Sequence, residues 1–524
     1  MKTSTKIISV LLAVIMLFGL TVPAFAQEDK SEDLPIIFIQ GRADTLYNTQ
    51  TRERVYPVVS DEVQYTKDSA VVIAKALAKA LALENAIGQK AWDEYCDIVC
   101  DKVLYMFTTI QLDENGNPKD NTGMLWNAST VGINSKKSGY NLYDYHFQYD
   151  WRLDPCTLAK ELHTYVERIK KATGHDKVKM YVHCLGGTIF SAYLAEYGSD
   201  DIESVVLSVP TVTGSGTVGA LYSNQVVLDP DALSEYATYY LNSDQNRFFK
   251  DEDPSMIALM TAIVTTLNEL EVLGIGTDKI TEIYDKVKDN LVPRLIKGIF
   301  LFPTYYAMIG EEYYDDCINT IFTGEFGEKY KGFREKIDYY HYNIQVKAAD
   351  LLEEAKANGT KVSIITRYGF NLLPCFDGCR TLGDGRMEVS KLSYGATTSN
   401  MTDTLSSSYV QNALSNGTYK YVSADRKIDA STCLFPDSTW FIRNLYHAGI
   451  NPVDGLAKTL FDSKDQPTVW DYEQYPQYIH YEDGQMTPVD GESKLDSLWV
   501  KDKFTAIFRL IKAFLSFIVS LFDK

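Results

Sequence analysis

The chain has 524 residues, a formal charge of −19 and 45% hydrophobic residues. That acidity argues against nucleic-acid binding, which needs basic surface to displace counterions, and suits a soluble extracellular protein. The length fits one large domain with a sizeable insertion, or two domains.

Residues 1–26 read as a secretory signal peptide. Lys2 and Lys6 supply the positive start, residues 7–20 the apolar stretch, and Ala24-Phe25-Ala26 the cleavage pattern. The apolar run is short for a membrane span, and an uncleaved anchor is the alternative. The expected localisation is secreted or extracellular, at the cell surface if a membrane is engaged. Eight Cys are few for a secreted chain of this size, so the fold does not depend on a disulfide framework. Cys375 and Cys379 could clip a loop, and Cys96 and Cys100 lie one helical turn apart. No Cys or His pairs fall at zinc-ligand spacing, so neither a metal nor another cofactor is expected.

Residues 35–41 read as a buried strand ending in a Gly turn, and residues 69–89 as a helix. Strands are expected at 105–111 and 145–149, around a polar loop at 113–122. Asp154-Pro155 opens a helix with Asp as cap and Pro in the first turn. Its apolar stripe is Leu158, Leu162, Tyr165, Val166 and Ile169, and Gly174 ends it. Strands at 178–182 and 204–209 follow, so strands and helices alternate as in a parallel sheet with right-handed crossovers.

Residues 229–358 change character: helical, Tyr-rich segments dominate, strongest at 254–273, 278–300 and 333–358. They read as a helical cap between the core halves 27–228 and 359–462, with Met256, Leu259, Met260, Ile263 and Leu267 as cap core or as an acyl-chain channel lining. A strand resumes at 362–366, and a short one is expected at 419–422. Residues 463–503 read as an acidic, Tyr-rich loop or linker, and residues 504–524 as a C-terminal amphipathic helix. In that helix Thr505, Arg509, Lys512, Ser516, Ser520 and Asp523 form one polar stripe on an apolar cylinder, which suits a lipid surface or docking on the protein itself.

The chemistry centres on Val182-His183-Cys184-Leu185-Gly186, with Gly187 beyond. A strand, a single nucleophile and a helix joined by a Gly-containing turn form a nucleophile elbow. Its tip is usually Ser; here it is Cys184, which keeps covalent acyl chemistry open because a thiolate is a strong nucleophile. Val182 stands where the pattern has Gly. The other reading is an ordinary strand–helix turn with Cys184 as a buried small hydrophobe.

The nucleophile needs a base, and the base an orienting carboxylate, in the chain order nucleophile, acid, His. His447 and His480 follow the cap, and His447 is favoured because a short loop joins it to the apolar strand at 438–442. Asp425 is the preferred acid, 22 residues before His447, and Asp384 in Gly383-Asp384-Gly385 is the alternative. The oxyanion hole is expected from the N–H groups of Leu185 and Arg42.

These pieces together resemble the lecithin:cholesterol acyltransferase-type branch of lipase-like α/β-hydrolases, in a bacterial secreted form with Cys at the elbow. The resemblance rests on the 35–41 strand, Tyr149-Asp150-Trp151-Arg152-Leu153-Asp154, residues 173–178, the elbow, Pro210 with Gly214-Ser215, Tyr368-Gly369, the Asp-Gly and Asp-Arg segments and His447. It covers residues 35–215 and 360–450; the helical block carries no specific match. It implies an α/β-hydrolase fold, with a mostly parallel sheet and an inserted cap. It also implies a carboxylic ester hydrolase or O-acyltransferase acting on lipid or small-molecule esters through an acyl-enzyme on Cys184. A catalytically weak surface or binding protein of the same fold is the alternative. A thioesterase or Cys polymer synthase-like acyltransferase is a third reading, disfavoured because acyl-CoA is intracellular.

Overall fold

The computed structural model describes residues 33–491 apart from 42–44, 59–61, 126–130, 134–140, 230–231, 235, 237–253, 300 and 483. The expected signal peptide and the C-terminal segment 504–524 lie outside the described residues. The chain enters at β1 (Ile36–Ile39) and turns into a small antiparallel sheet of β2 (Leu46–Asn48), β3 (Arg54–Tyr56) and, later, β4 (Thr122–Gly123). Two helices intervene, α1 (Glu62–Ile87) and α2 (Gln89–Tyr105). The main sheet resumes at β5 (Tyr145–Phe147) and continues through α3 (Pro155–Thr173), β6 (Val178–His183), α4 (Gly186–Tyr197), β7 (Ile202–Ser208) and α5 (Gly216–Tyr222).

A helical block follows, with α6 (Pro254–Val272), α7 (Thr277–Ile299), α8 (Glu311–Ile321), α9 (Lys331–Asn343) and α10 (Ala348–Ala357). Then come β8 (Lys361–Tyr368), a two-stranded pair of β9 (Thr397–Thr398) and β10 (Ile428–Asp429), β11 (Thr439–Arg443), α11 (Asp454–Asp462), β12 (Tyr478–Glu482) and β13 (Gln485–Pro488). The eight-stranded sheet runs in the order β13-β12-β11-β8-β7-β6-β1-β5. Every neighbouring pair is parallel except β12 and β13. Helices connecting parallel strands must lie on the sheet's faces, which is why β6 and β7 are almost continuously buried.

Alternation along β1 shows the two layers. Ile37 and Ile39 join a core with Leu158, Leu162 and Ile169 of α3 and Ile189 of α4. Ile36 and Phe38 join another with Trp440 of β11 and Leu456 and Leu460 of α11. The local signals at α3 act as expected: the Asp154 carboxylate accepts from Thr157 N–H at 2.9 Å, and the whole stripe is buried.

Four expectations change. Residues 105–111 are no strand: α2 runs to Tyr105, and Thr108–Ile110 forms a 3₁₀ turn. The expected strand at 419–422 is also a 3₁₀ turn, Tyr419–Tyr421. The 463–503 stretch is more than a linker, since it carries β12 and β13 at the sheet edge. Finally, α1 and α2 pack with the helical block: Ala74, Leu77, Ala80, Trp92 and Cys96 share one core with Leu270, Ile283 and Val287.

Candidate active site

Cys184 sits at φ 51°, the left-handed region that a side chain with a Cβ resists. Its own main chain maintains the turn: Cys184 N–H donates to Ser208 O at 3.0 Å, and Cys184 O accepts from Gly187 N–H at 2.9 Å and Thr211 N–H at 3.2 Å. Gly186 is required by closeness. A Cβ there would fall 2.7 Å from Ile39 O and 2.9 Å from Ile39 Cγ2. Val182 causes no clash, because it is fully buried and lies in register between Ile39 and Leu207. The tight approaches fall instead at Gly186 and at Gly41, whose Cβ would meet Cys184 Cβ at 3.1 Å.

β8 and β11 are adjacent parallel strands beyond β7, so the loops leaving them emerge at the same sheet edge as the elbow. The β8 loop delivers Asp384 and the β11 loop delivers His447. His447 Nε2 lies 3.0 Å from Cys184 Sγ, and His447 Nδ1 lies 2.6 Å from Asp384 Oδ2. The other carboxylate oxygen of Asp384 accepts from Arg386 N–H at 3.0 Å and Met387 N–H at 2.9 Å. Both oxygens of Asp384 are thereby engaged, and its fully buried carboxylate is fixed.

Asp425, the preferred acid from sequence, is not beside His447. It accepts from Ser423 Oγ–H at 2.7 Å and Tyr368 Oη–H at 3.1 Å, and forms a buried ion pair with Arg443 at 3.4 Å. Its turn leads into β10, outside the main sheet, and it meets the β11 side chain Arg443 rather than the loop beyond it. His480 lies on β12 with Nε2 3.2 Å from the Asn444 amide. Leu185 is the N-cap residue just before α4, and its N–H is directed at Cys184. Arg42 lies outside the described residues.

Burial alone would push the Cys184 thiol up, but the His447 charge and hydrogen bond, the Leu185 N–H and the Arg386 charge bring it below its ordinary 9.0. Burial would depress His447; Asp384 and Cys184 outweigh it and lift the imidazole to about 9. The pair therefore favours thiolate and imidazolium together.

Three supporting residues were given no role by the sequence, although Tyr149 and His183 lie in motifs that carry the resemblance. Arg367, fully buried on β8, donates to Tyr446 O at 2.9 Å and to His447 O, and reaches Ser208 Oγ at 3.2 Å. His183 is buried and held below its ordinary value by that burial, then by the Arg367 and His447 charges. Tyr149 bonds the chain leaving β1. For Arg367 the only hint was a charged side chain near the end of an apolar strand.

One carboxylate–His cluster could suggest a metal: His163, Glu167 and Asp201 place ligand atoms within 4.8 Å of one another. The Lys170 ammonium already bonds Glu167 at 2.8 Å and also Asp201, so both carboxylates have a cationic partner within the protein. All eight cysteines, Cys375 and Cys379 included, are free thiols in this structure. No helix among the described residues is long and apolar enough to cross a membrane.

A mostly parallel eight-stranded sheet with a strand–nucleophile–helix elbow, and with acid and His on the loops after two further strands, is the α/β-hydrolase fold. A family model described as alpha/beta hydrolase fold matches residues 134–252, the stretch that contains the elbow. The match supports a hydrolase-type function for the chain. No curated protein matches the sequence. A solved structure described as the crystal structure of the Tle4-Tli4 complex is similar at 13% identity, covering 64% of this chain and 75% of that one, with a TM-score of 0.23. A likeness that low bears on neither fold nor chemistry.

Proposed function

We propose that the protein is a carboxylic ester hydrolase or O-acyltransferase that works through a thioester acyl-enzyme on Cys184. The observation that carries this reading is the continuous relay Asp384–His447–Cys184, with links of 2.6 and 3.0 Å. The thiolate attacks the ester carbonyl carbon, a C–S bond forms, and the carbonyl electron pair moves onto oxygen. The Leu185 N–H is one donor to that oxyanion. Collapse breaks the C–O bond, and the leaving alkoxide takes the proton from His447 Nε2. Water or an alcohol then gives a proton to His447 as it attacks the thioester, and the C–S bond breaks. Asp384 stays ionised throughout and stabilises the imidazolium.

Lipid-like esters are the substrate class, on the resemblance to the lecithin:cholesterol acyltransferase type, and the site of action is extracellular, on the signal pattern of residues 1–26. The polar stripe and apolar surround of residues 504–524 support contact with a lipid surface; liposome co-sedimentation of the full chain against one ending at Val500 tests it. The catalytic reading is tested with p-nitrophenyl esters of graded chain length and a lipid extract. Turnover should appear in the wild type and vanish in Cys184→Ala. Absence of turnover, or its survival in Cys184→Ala, overturns the proposal.

A further inference from the structure

We infer that Tyr149 is a positioning residue for the oxyanion hole: its hydroxyl fixes the peptide groups that leave β1 beside Cys184. The inference rests on the acyl-transfer reading above and adds a residue to it.

Tyr149 lies just beyond β5, the neighbour of β1, with its ring stacked on Phe147 at 5.5 Å and 2% exposed. Its Oη lies 2.7 Å from Gln40 O and 3.0 Å from Gly41 O. The phenol has one proton, so these two carbonyls share it. Burial, and then the charge at Cys184, hold the phenol well above its ordinary value, so that proton stays in place.

A trans peptide unit is planar, with its C=O and N–H pointing to opposite sides. Holding the Gln40 carbonyl therefore fixes the direction of the Gly41 N–H. Gly41 is against the nucleophile: a Cβ on it would stand 3.5 Å from Cys184 Sγ. The elbow presses on the same strip. Ile39 O and Gln40 O lie 2.7 and 3.1 Å from the point where Gly186 would carry a Cβ. The main chain from Ile39 to Gly41 is thus held by its closeness to Gly186 and by the Tyr149 hydroxyl. Without the hydroxyl the Gln40–Gly41 peptide plane loses the contact that sets its rotation, and the Gly41 N–H no longer holds one direction when the carbonyl oxygen becomes an oxyanion. Sequence reasoning places the second oxyanion donor in this turn.

The test is Tyr149→Phe, which keeps the ring and removes only the hydroxyl. Two reactions of Cys184 are compared, turnover of p-nitrophenyl butyrate and alkylation by iodoacetamide. Displacement of iodide develops no oxyanion, so alkylation reads the state of the thiolate–imidazolium pair alone. Tyr149→Phe should lower kcat about 10- to 100-fold with KM within about threefold, and leave the alkylation rate within about twofold. A kcat within threefold of wild type overturns the inference. So does an alkylation rate that falls in step with kcat, which would mark general damage to the site. Turnover that requires Cys184 but ignores Tyr149 removes the Tyr149 role only. Wild-type turnover that is absent, or that survives in Cys184→Ala, removes the acyl-transfer reading and this role together.

Discussion

His447 and Asp384 are joined twice. The imidazole Nδ1 lies 2.6 Å from Asp384 Oδ2, and the His447 N–H donates to Asp384 O at 3.1 Å. The side-chain contact sets the imidazole tautomer and orientation, while the main-chain contact ties the β11 loop to the β8 loop. Behind them Arg367 holds the carbonyls of Tyr446 and His447. The base is therefore restrained through its ring and through both of its main-chain polar groups.

The two acids should separate in experiment. Asp384→Asn keeps the shape but weakens the imidazolium that acyl transfer requires, so the acylation rate should fall on the order of 10³-fold. Folding by circular dichroism should be retained. Asp425→Asn instead removes the carboxylate charge that faces the buried Arg443 guanidinium, at a cost of about 3 kcal/mol in urea unfolding. Its rate per folded molecule should change little. The opposite ranking of rates would return the acid to Asp425.

This pair also shows where the sequence is legible. The elbow is a local feature, so Cys184 and its turn glycines are readable from five or six residues. His447 is readable because a short loop follows an apolar strand. The acid is different: both Asp384 and Asp425 sit in polar turns after a strand or an apparent strand, and distance along the chain does not measure distance in space. What separates them is that β8 and β11 are neighbours, a fact of sheet order that no local pattern encodes. Edge strands were hidden for a related reason. β12 carries only Ile479 fully buried, so it lacks the continuous apolar run that marks β6. The joining of α1 and α2 to the helical block was equally hidden, since their Ala- and Leu-rich faces do not name the helices they meet.

The pH dependence should distinguish the thiolate from the acid–base step. Cys184 loses its proton below the ordinary thiol value, and His447 keeps its own up to about 9. Alkylation by iodoacetamide should rise with a midpoint below 9 and then stay level, since the thiolate persists at higher pH. Acyl transfer should rise with the same midpoint but decline as pH passes about 9, where His447 no longer has a proton for the leaving group. In His447→Gln the alkylation midpoint should move upward, because burial remains and the neighbouring positive charge is gone. Rate constants measured from pH 5 to 10, with mass mapping of the labelled thiol, check all three. An unmoved midpoint in His447→Gln would disprove the pairing.

Cys184→Ser tests whether the site is adapted to a thiolate. A serine hydroxyl does not ionise here, so the imidazole would lose the charge that helps hold its proton. The variant should keep a neutral-nucleophile acyl activity, below wild type by about tenfold or more. Because a neutral hydroxyl must give its proton to a neutral imidazole, the activity of this variant should rise as His447 loses its proton, with a midpoint below the about 9 of the wild-type imidazolium. A midpoint at or above about 9 would mean that Cys184 does not influence the base.

Restoring glycine at position 182 should harm the protein. The usual elbow has Gly two residues before the nucleophile, yet Val182 is fully buried in the sheet core between Ile39 and Leu207. The close contacts that demand glycine are at Gly186, where a Cβ would lie 2.7 Å from Ile39 O, and at Gly41. Val182→Gly removes three buried carbons and frees the backbone of a central strand, together costing about 3 kcal/mol. Gly186→Ala should cost more in activity than in stability, since the added methyl displaces the β1 exit rather than emptying the core. Urea unfolding and ester turnover of both variants give the comparison. A Val182→Gly protein as stable as wild type would mean that this elbow tolerates the usual pattern and that the Val182 packing contributes little.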